Sequence, residues 1–390
     1  LVQAYFDADN LQALDEYLQE LRGDGFTEEQ RELILRFLVL RGNYEKAYAW
    51  IEAYTPYFVE AKILLRLTDG VITQSVHEGE AVLYAAALTA FRKGKYNGGI
   101  LEYLVRYATG TTKELRDIWK AARSFEIDCY SLSEKILLQM LFSGAFVGER
   151  MDIFRYYVSQ GARQEIEEAV LVQSSYDYFC REKITEEYVF REIRNCYLRG
   201  EETQRICKLA YLKFYAENKD KLEREDETLV RNFLEEMMKD HIHLNFFREY
   251  QDYLPQLQEM KDKTIVEYHT RGGVRARIHY VMMHENGQAE DYLSEYMQEV
   301  YSGVFFKEFV LFFGENLQYY IMEESENEEQ LTESGSLQKS DIMNESPDSK
   351  YEIINDMMIS MTLQDDTTLD HLIEEYYRRE YLDHRLFTLQ

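Results

Sequence analysis

The stretch TEEQRELILRFLVLRGNYEKAYAWIEAY, residues 27–54, decides the fold class of most of the chain. It opens on Thr27-Glu28-Glu29-Gln30, the S/T-x-x-E/Q pattern that caps the start of a helix. The apolar side chains that follow share one helical face: Leu33, Ile34, Phe37 and Leu38. Gly42 then ends the helix, because glycine adopts the left-handed conformation without strain. A second helix begins at Tyr44, and so short a gap predicts an antiparallel helical hairpin.

The same helix-ending junction recurs along the chain, at intervals of about 50 residues. It is marked by Gly42, Gly94, Gly144 and Gly200. The interval exceeds the ~34 residues of a tetratricopeptide unit and suits three or four helices. A chance recurrence is the alternative, because glycine commonly ends helices. We favour a repeat, and it predicts an α-helical hairpin solenoid, a tetratricopeptide-like superhelix, over residues 1–257.

The pattern changes after Pro255, where β-branched and aromatic residues begin to dominate. About six segments read as strands, with turn signals every ~10 residues. The clearest are 264–270, 274–283, 304–313 and 317–322. This spacing predicts a small antiparallel β-sandwich of the immunoglobulin-like kind over residues 258–345.

Two further segments complete the expected order of domains. Residues 323–336, EESENEEQLTESGS, are acidic and of low complexity, which predicts a solvated loop between strands. Residues 346–390 return to helical periodicity, with one helix over 351–362 and a second that opens at Thr367. They predict a C-terminal helical hairpin, so the whole chain is expected to be multidomain, α then β, with a final helical pair.

Composition and charge bound the class of partner. The formal net charge is −28, and a surface that binds nucleic acid must neutralise phosphates with Lys and Arg, so nucleic acid is not expected as a partner. No apolar run reaches the ~18 residues of a membrane span, so no direct membrane insertion by this segment is expected. The chain starts without methionine, and we interpret it as a piece of a longer protein. Its localisation is left open for that reason.

The four cysteines lie in segments that read as helix, and no pair has the CxxC spacing of a zinc or redox site. They are Cys129, Cys180, Cys196 and Cys207. We expect small buried hydrophobic side chains rather than disulfides or metal ligands. This fits a reducing compartment, which slightly favours a cytoplasmic location.

No motif in the chain carries catalytic chemistry. There is no GxSxG, no phosphate-binding loop and no GxGxxG. His241 and His243 fall at a helix end, where residues two apart diverge, so a shared metal ion is not expected. We therefore expect a non-enzymatic protein with no catalytic, cofactor-binding or metal-binding residues.

Three arginines gather near the first predicted hairpin of this acidic chain: Arg271, Arg275 and Arg277. Arg275 and Arg277 share a face if their segment is a strand. They are the candidate partner-binding residues, for an anion or an acidic partner. The alternative is cross-strand pairing with nearby glutamates such as Glu267.

Residues 41–48, RGNYEKAY, resemble the tetratricopeptide half-motif, in which glycine and tyrosine set the turn between two helices. The longer order, helical repeats followed by a strand block with GVFFKEF at 303–309 and LQYYI at 317–321, resembles the C-terminal part of a family of large, uncharacterised bacterial proteins. The resemblance covers nearly the whole chain. It implies a domain of unknown function and no assigned activity.

The leading hypothesis is a non-enzymatic protein-interaction or scaffold module, part of a larger bacterial protein. Its partner is expected to be another protein or the rest of its own chain. The alternative is a structural or regulatory segment of a cell-envelope-associated protein that binds a ligand or glycan on the β-sandwich.

Overall fold

The computed structural model describes residues 1–41, 98–284, 287–325, 329–339 and 342–379, with isolated positions between 43 and 96. The chain divides into two compact units, Leu1–Val170 and Leu171–Gln390, and each is described by itself. The predicted domain limits after residues 257 and 345 stay a prediction. The junction at Gly42 and the helix expected from Tyr44 lie outside the described residues.

The described part of the first unit is helical. Its helices are α1 Val2–Asp7, α2 Leu11–Glu20, α3 Glu28–Leu40, α4 Gly98–Arg106, α5 Thr112–Ser124, α6 Tyr130–Ser143 and α7 Met151–Ser159, followed by the start of α8 Gln164–Arg181. Two of these helices, α3 and α5, begin with the predicted capping pattern, in which a threonine hydroxyl accepts from the backbone three residues later. The backbone N–H of Gln30 donates to Thr27 Oγ1 at 3.4 Å, and that of Glu114 donates to Thr111 Oγ1 at 3.4 Å. These bonds satisfy donors that a helix start otherwise leaves unpaired.

The junction glycines that the structure describes adopt the conformation that the repeat requires. Gly94, Gly144 and Gly200 have φ of +71°, +62° and +79°. Within the described residues, three α-helices separate Gly94 from Gly144 and three separate Gly144 from Gly200. This agrees with the predicted three or four helices in each interval.

Buried apolar stripes hold the helices of the first unit together. Tyr103 of α4, Trp119 of α5 and Met140 of α6 are all buried. The indole N–H of Trp119 donates to Ser133 Oγ at 2.8 Å, so the largest ring in this region buries its polar atom with a partner. α4 contacts α5, α5 contacts α6, and α6 contacts α7.

The second unit begins with helices and continues with strands. After α8 come α9 Glu187–Leu198, α10 Arg205–Glu217 and α11 Arg224–Lys239. Short 3-10 stretches follow at Asn245–Tyr250 and Pro255–Asp262. Pro255 was expected to end the last long helix, but it opens a 3-10 turn, because its missing N–H is not needed at that first position. The last long helix before the strands ends earlier, at Lys239.

Seven strands are present in the described residues, against about six expected. They are β1 Lys263–His269, β2 Arg275–Met283, β3 Leu293–Tyr296, β4 Gln298–Tyr301, β5 Val304–Val310, β6 Asn316–Glu324 and β7 Glu329–Gln338. They form two small antiparallel sheets, of order β1-β5-β4 and β3-β2-β6-β7. The two antiparallel sheets agree with the expected strand-rich part, and its immunoglobulin-like form stays a prediction.

One hydrophobic cluster lies between the two sheets. It takes Ala276 and Ile278 from β2, Phe305 and Phe309 from β5, and Ile321 from β6. Because side chains alternate along a strand, the residues between these positions point away from the cluster. Each sheet therefore has an inner face on the cluster and an outer face.

The acidic stretch 323–336 was predicted as a loop, and this prediction was wrong for most of its length. Its first residues end β6, and β7 begins at Glu329. β7 pairs with β6 along its length, which satisfies its backbone groups on that side. Leu337 opposes Leu317 and packs on the hydrophobic cluster, while glutamates face water. A charged sequence suits an edge strand, because charge there discourages pairing with other chains.

Two contacting helices follow the sheets, as predicted: α12 Lys350–Leu363 and α13 Asp366–Arg378. A capping box that was not anticipated, Ser349 with Glu352, starts α12. The start of α13 is capped by Asp365 rather than opened at Thr367. Among the helices of the described ranges, none is both long and apolar enough to cross a membrane.

Candidate functional site

The outer face of the four-stranded sheet carries an unusual set of rings and charges. Arg275, Arg277 and His279 project from β2 on this side, opposite to the buried Ala276 and Ile278. The strand register places Tyr296 beside Arg277 and Glu324 beside Arg275. We call this surface the open face and define it by a set of residues from four strands and one loop. They are Arg275, Arg277, His279, Tyr292, Tyr296, Tyr320, Met322, Glu324 and Leu331.

Arg277 is held in place at the centre of this face. Its Nε lies 2.6 Å from Glu324 Oε1, and its guanidinium carbon lies 4.4 Å from the centre of the Tyr296 ring. It also donates to the Tyr296 hydroxyl, which in turn donates to Glu324 Oε2 at 2.8 Å. The bond to Tyr296 and the charge of Glu324 raise the pKa of Arg277. The three side chains form a fixed polar network rather than three mobile groups.

A second cluster lies next to this network. The His279 ring stacks on Tyr320 with centroids 4.6 Å apart and planes within 5°, and on Tyr292 at 5.8 Å. The hydroxyls of Tyr292 and Tyr320 bond to each other. Neither ring nitrogen of His279 has a hydrogen-bond partner among the residues that the structure describes. The imidazole therefore serves here as an aromatic surface.

Large apolar area remains exposed on this face. Tyr292 is 55% exposed, Tyr296 49% and Leu331 61%. Single exposed apolar residues are ordinary, but a set on one sheet face is a sign of a contact surface. Tyrosine and arginine are also the side chains that recur where binding energy is concentrated.

A cavity of about 810 Å³ opens where the open face meets the end of the other sheet. Its wall combines the β1–β2 turn, the β4–β5 turn, the end of β6 and the start of α10. It is lined by Arg205, Gly273, Val274, Arg275, Glu299, Val300, Tyr301, Ser302, Glu324 and Ser325.

The two turns are locked together at the base of this cavity. Gly303 has φ of +83°, and a Cβ on it would lie 2.3 Å from the carbonyl oxygen of Thr270. The N–H of Thr270 donates to the Gly303 carbonyl at 2.8 Å. Glu299 Oε1 accepts from the Gly303 N–H at 3.3 Å. Only glycine fits this close backbone contact, so the cavity has a defined base.

Two of the four charges at the cavity have fixed partners. Arg205 Nη2 lies 2.5 Å from Asp240 Oδ2, and Arg205 Nη1 donates to the Val300 carbonyl at 3.3 Å. Glu324 is neutralised by Arg277. Among the residues that the structure describes, Arg275 has no charged partner, and its guanidinium carbon lies 5.9 Å from the centre of the Tyr296 ring.

The structure brings together two of the three predicted arginines. Arg275 and Arg277 share the open face, as the strand alternation required. Arg271 lies exposed in the β1–β2 turn and does not line the cavity. The alternative, cross-strand pairing with a glutamate, is observed for Arg277, which pairs with Glu324 of the neighbouring strand. Glu267, the example named, lies instead 3.7 Å from His269.

Arg205, Glu299, Tyr296 and Glu324 were not predicted as site residues. They lie between 19 and 70 residues from Arg275 or Arg277 in the chain, and no local motif links them. A sequence signal existed only for Tyr296, which belongs to a stretch rich in tyrosine and glutamate. Only strand register and the packing of turns place the four side chains together.

The two histidines examined as a metal pair have separate roles. His241 takes φ of +54° after the end of α11 and is exposed. His243 Nδ1 lies 2.6 Å from Glu308 Oε2 on the outer face of the three-stranded sheet. Lys263 Nζ approaches the same carboxylate at 3.2 Å. Burial would raise the pKa of Glu308, but the bonds from His243 and Lys263 outweigh it and lower that pKa.

The cysteines are free thiols, as expected. Cys129, Cys196 and Cys207 are buried, and Cys180 is half-buried. Burial raises the pKa of Cys129 to about 11 and that of Cys180 to about 12, so both stay protonated at neutral pH. Burial of Cys129 and Cys207 agrees with the expected role as small hydrophobic side chains. Cys196 differs, because its Sγ accepts from Arg199 Nη2 at 3.1 Å and lies within 4.8 Å of carboxylate oxygens of Glu167 and Glu192. Cys129 lies just before α6 rather than within a helix.

Comparison with known families identifies the chain at a general level. Residues 80–387 match the C-terminal part, and residues 1–78 the N-terminal part, of the family described as "Family of unknown function (DUF5717)". The chain belongs to this family. None of the curated proteins matches it. Membership in a family of unknown function was predicted and is confirmed, while the bacterial origin stays a prediction.

Proposed function

We propose that this DUF5717 chain is a non-enzymatic protein-interaction module, and that the open face is its binding surface. The observation that carries the proposal is the network of Arg277, Tyr296 and Glu324 beside the exposed Tyr292 and Leu331. A fixed guanidinium among exposed rings loses little conformational freedom on binding, which favours affinity.

Charge supports a protein rather than a nucleic acid as the partner. The open face carries two arginines and one glutamate, whereas the whole chain has 72 acidic and 44 basic residues. Enrichment of tyrosine, methionine and arginine is typical of a protein interface. A nucleic acid would need a continuous basic surface.

The helical part supports a scaffold role in the same proposal. We infer a tetratricopeptide-like solenoid for it and a β-sandwich for the two sheets. Helices of the first unit that contact their sequence neighbours, and the left-handed glycines at regular intervals, support the first inference. The hydrophobic cluster between the sheets supports the second.

Photo-crosslinking tests the proposed surface. A benzoylphenylalanine at position 331 or 292, on the open face, is expected to capture the same protein from the native cell extract. The matched control is position 330, because Gln330 is exposed on the same strand but opposes Glu323, on the other side of the sheet.

The captured protein is then purified and its affinity measured. Leu331→Asp is expected to weaken binding at least ~10-fold, as truncation of a central contact does. Equal capture from positions 330 and 331, or an affinity unchanged by Leu331→Asp, would show that the open face is not the interface.

A second candidate function is binding of a ligand or glycan on the sheets, in a structural or regulatory segment of a cell-envelope-associated protein. The cavity beside Arg275 is the observation that favours a ligand. The envelope part of this candidate requires a signal peptide or membrane segment in the full-length sequence. A full-length sequence without either would remove it.

A further inference from the structure

The cavity at the end of the two sheets is lined by charged side chains, of which some are ion-paired and others are not. Four charged side chains line it: Arg205, Arg275, Glu299 and Glu324. Arg205 is paired with Asp240, and Glu324 with Arg277. The other two, Arg275 and Glu299, form no ion pair within 4.0 Å with each other or with any other residue that the structure describes.

Arg275 and Glu299 thus offer one positive and one negative group to the same cavity. The Glu299 carboxylate is oriented by the Gly303 N–H, which it accepts at 3.3 Å. Arg275 is the first residue of β2 and projects on the open-face side. Opposite charges held apart at a cavity wall are complementary to a ligand that carries both charges itself.

We propose that this cavity binds a short peptide with free termini, a zwitterion whose carboxylate pairs with Arg275 and whose ammonium pairs with Glu299. Guanidinium binds a carboxylate through two parallel hydrogen bonds, and an ammonium donates well to a carboxylate. The four lining charges sum to zero, so a neutral zwitterion matches the cavity. A phosphate or another polyanion would face Glu299 and Glu324 without enough positive charge to balance them.

The dimensions of the cavity set the length of the ligand. Its volume of about 810 Å³ lies in the range of small-ligand pockets and exceeds what one amino acid fills. Arg275 and Glu299 lie on strands of different sheets, so a ligand that contacts both must bridge the ends of the two sheets. Three extended residues span about 10 Å. Val274, Val300 and Tyr301 supply apolar wall for small side chains.

This inference rests on the ligand-binding candidate and not on protein binding through the open face. The two fail separately. Leu331→Asp is expected to leave peptide binding unchanged, because Leu331 does not line the cavity. Failure of positions 292 and 331 to capture a protein, with trialanine binding retained, would overturn the first proposal alone. Capture of a protein at both positions without trialanine binding would overturn the second alone.

Titration calorimetry with trialanine on the whole chain tests the proposal. Trialanine is expected to bind in the millimolar to micromolar range. Arg275→Gln and Glu299→Gln are each expected to weaken binding at least ~10-fold, the effect of losing one charged partner. Arg271→Gln is the matched control, an arginine of the same turn outside the cavity, and its affinity should stay within about twofold of the parent.

Two further ligands test whether binding needs the charged termini and the length of the peptide. N-acetyl-trialanine amide, which lacks both charges, is expected not to bind, and free alanine to bind at least ~10-fold more weakly than trialanine. Thermal unfolding of each variant checks that it folds, and Glu299→Gln can keep its bond to the Gly303 N–H. Absence of trialanine binding at about 10 mM, equal binding by Arg275→Gln, or displacement of the peptide by inorganic phosphate would each overturn the proposal.

Discussion

The outer faces of the two sheets follow the same alternation but have different surroundings. On the three-stranded sheet, Phe306 is buried and Glu308 is paired with His243, which lies beyond the end of α11. His269 stacks on Phe179 of α8 at 5.5 Å. On the four-stranded sheet, Tyr292 and Tyr296 remain about half exposed. Helical segments of the second unit cover one outer face, and within the described residues the other face keeps its rings exposed.

This difference separates structural residues from binding residues of the same chemical type. Glu308 and Glu324 both carry ion pairs on an outer sheet face. Glu308 ties β5 to the segment that follows α11, so its bonds connect parts of the fold. Glu324 orients Arg277 and Tyr296, which face solvent. Residue type alone does not tell these roles apart, because what covers the face decides them.

The largest expected effect is on the covered face. Phe306→Ala should lower the free energy of unfolding by about 3–5 kcal/mol, because it removes a ring that is only 2% exposed and leaves a cavity. Tyr296→Ala on the open face is the comparison, and about 1 kcal/mol is expected there. Urea denaturation measures both. Equal losses would mean that the two faces do not differ in the way described.

An intermediate effect is expected where the two turns meet. Gly303→Ala and Gly273→Ala both place a side chain at positive φ, +83° and +88°, which costs roughly 1–2 kcal/mol. Only at position 303 does the new Cβ meet backbone, the Thr270 carbonyl oxygen. The Gly303 variant should therefore lose at least ~1 kcal/mol more than the Gly273 variant in the same denaturation experiment. Equal losses of unfolding free energy in the Gly303→Ala and Gly273→Ala variants would argue against a rigid base of the cavity.

The smallest effect concerns pH and the pair on the covered face. Because the folded pKa of Glu308 is lowered below 4.5, its stabilisation is fully present above about pH 4.5. It is lost as pH falls through the lower, folded value. After allowance for solvent screening of a side chain that is 37% exposed, it is worth about 1 kcal/mol or less.

Glu308→Gln should therefore show a flatter decline of the urea midpoint between about pH 5 and pH 3 than the parent chain. Glu329→Gln, which removes a carboxylate from the exposed start of β7, serves as the control. A parent-like acid profile for Glu308→Gln would contradict the role given to the pair with His243.

Helices were the most predictable part of the structure. Local signals place them, such as the capping bonds of Thr27 and Thr111 and the apolar stripes of α6 and α9. The strands β1, β2, β5 and β6 were also predicted, from their β-branched and aromatic residues and the turn signals between them, and β2 from alternation as well. The acidic strand β7 was missed because its composition matches a solvated loop, and its strand structure depends on pairing with β6. The break of the 292–301 segment into strands of two sheets was missed for the same kind of reason.

The candidate site was only half predictable. The alternation of side chains between the two faces of a strand was enough to place Arg275 and Arg277 on one face. Nothing local pointed to Arg205, which enters the cavity from the start of α10, or to Glu299 of β4. Side chains from four separate segments meet there because the β1–β2 and β4–β5 turns pack on each other, a contact between distant parts of the chain.

The sequence by itself determined the local structure of this DUF5717 chain: where its capped helices begin, where its glycines end them and which strand residues share a side. These properties depend on neighbours within a few residues, so they can be read along the chain. Tertiary structure alone decided which sheet face stays open, how Arg277 is fixed between Tyr296 and Glu324, and which charges line one cavity. Those outcomes depend on strand order and on packing between remote segments, and no local pattern encodes either.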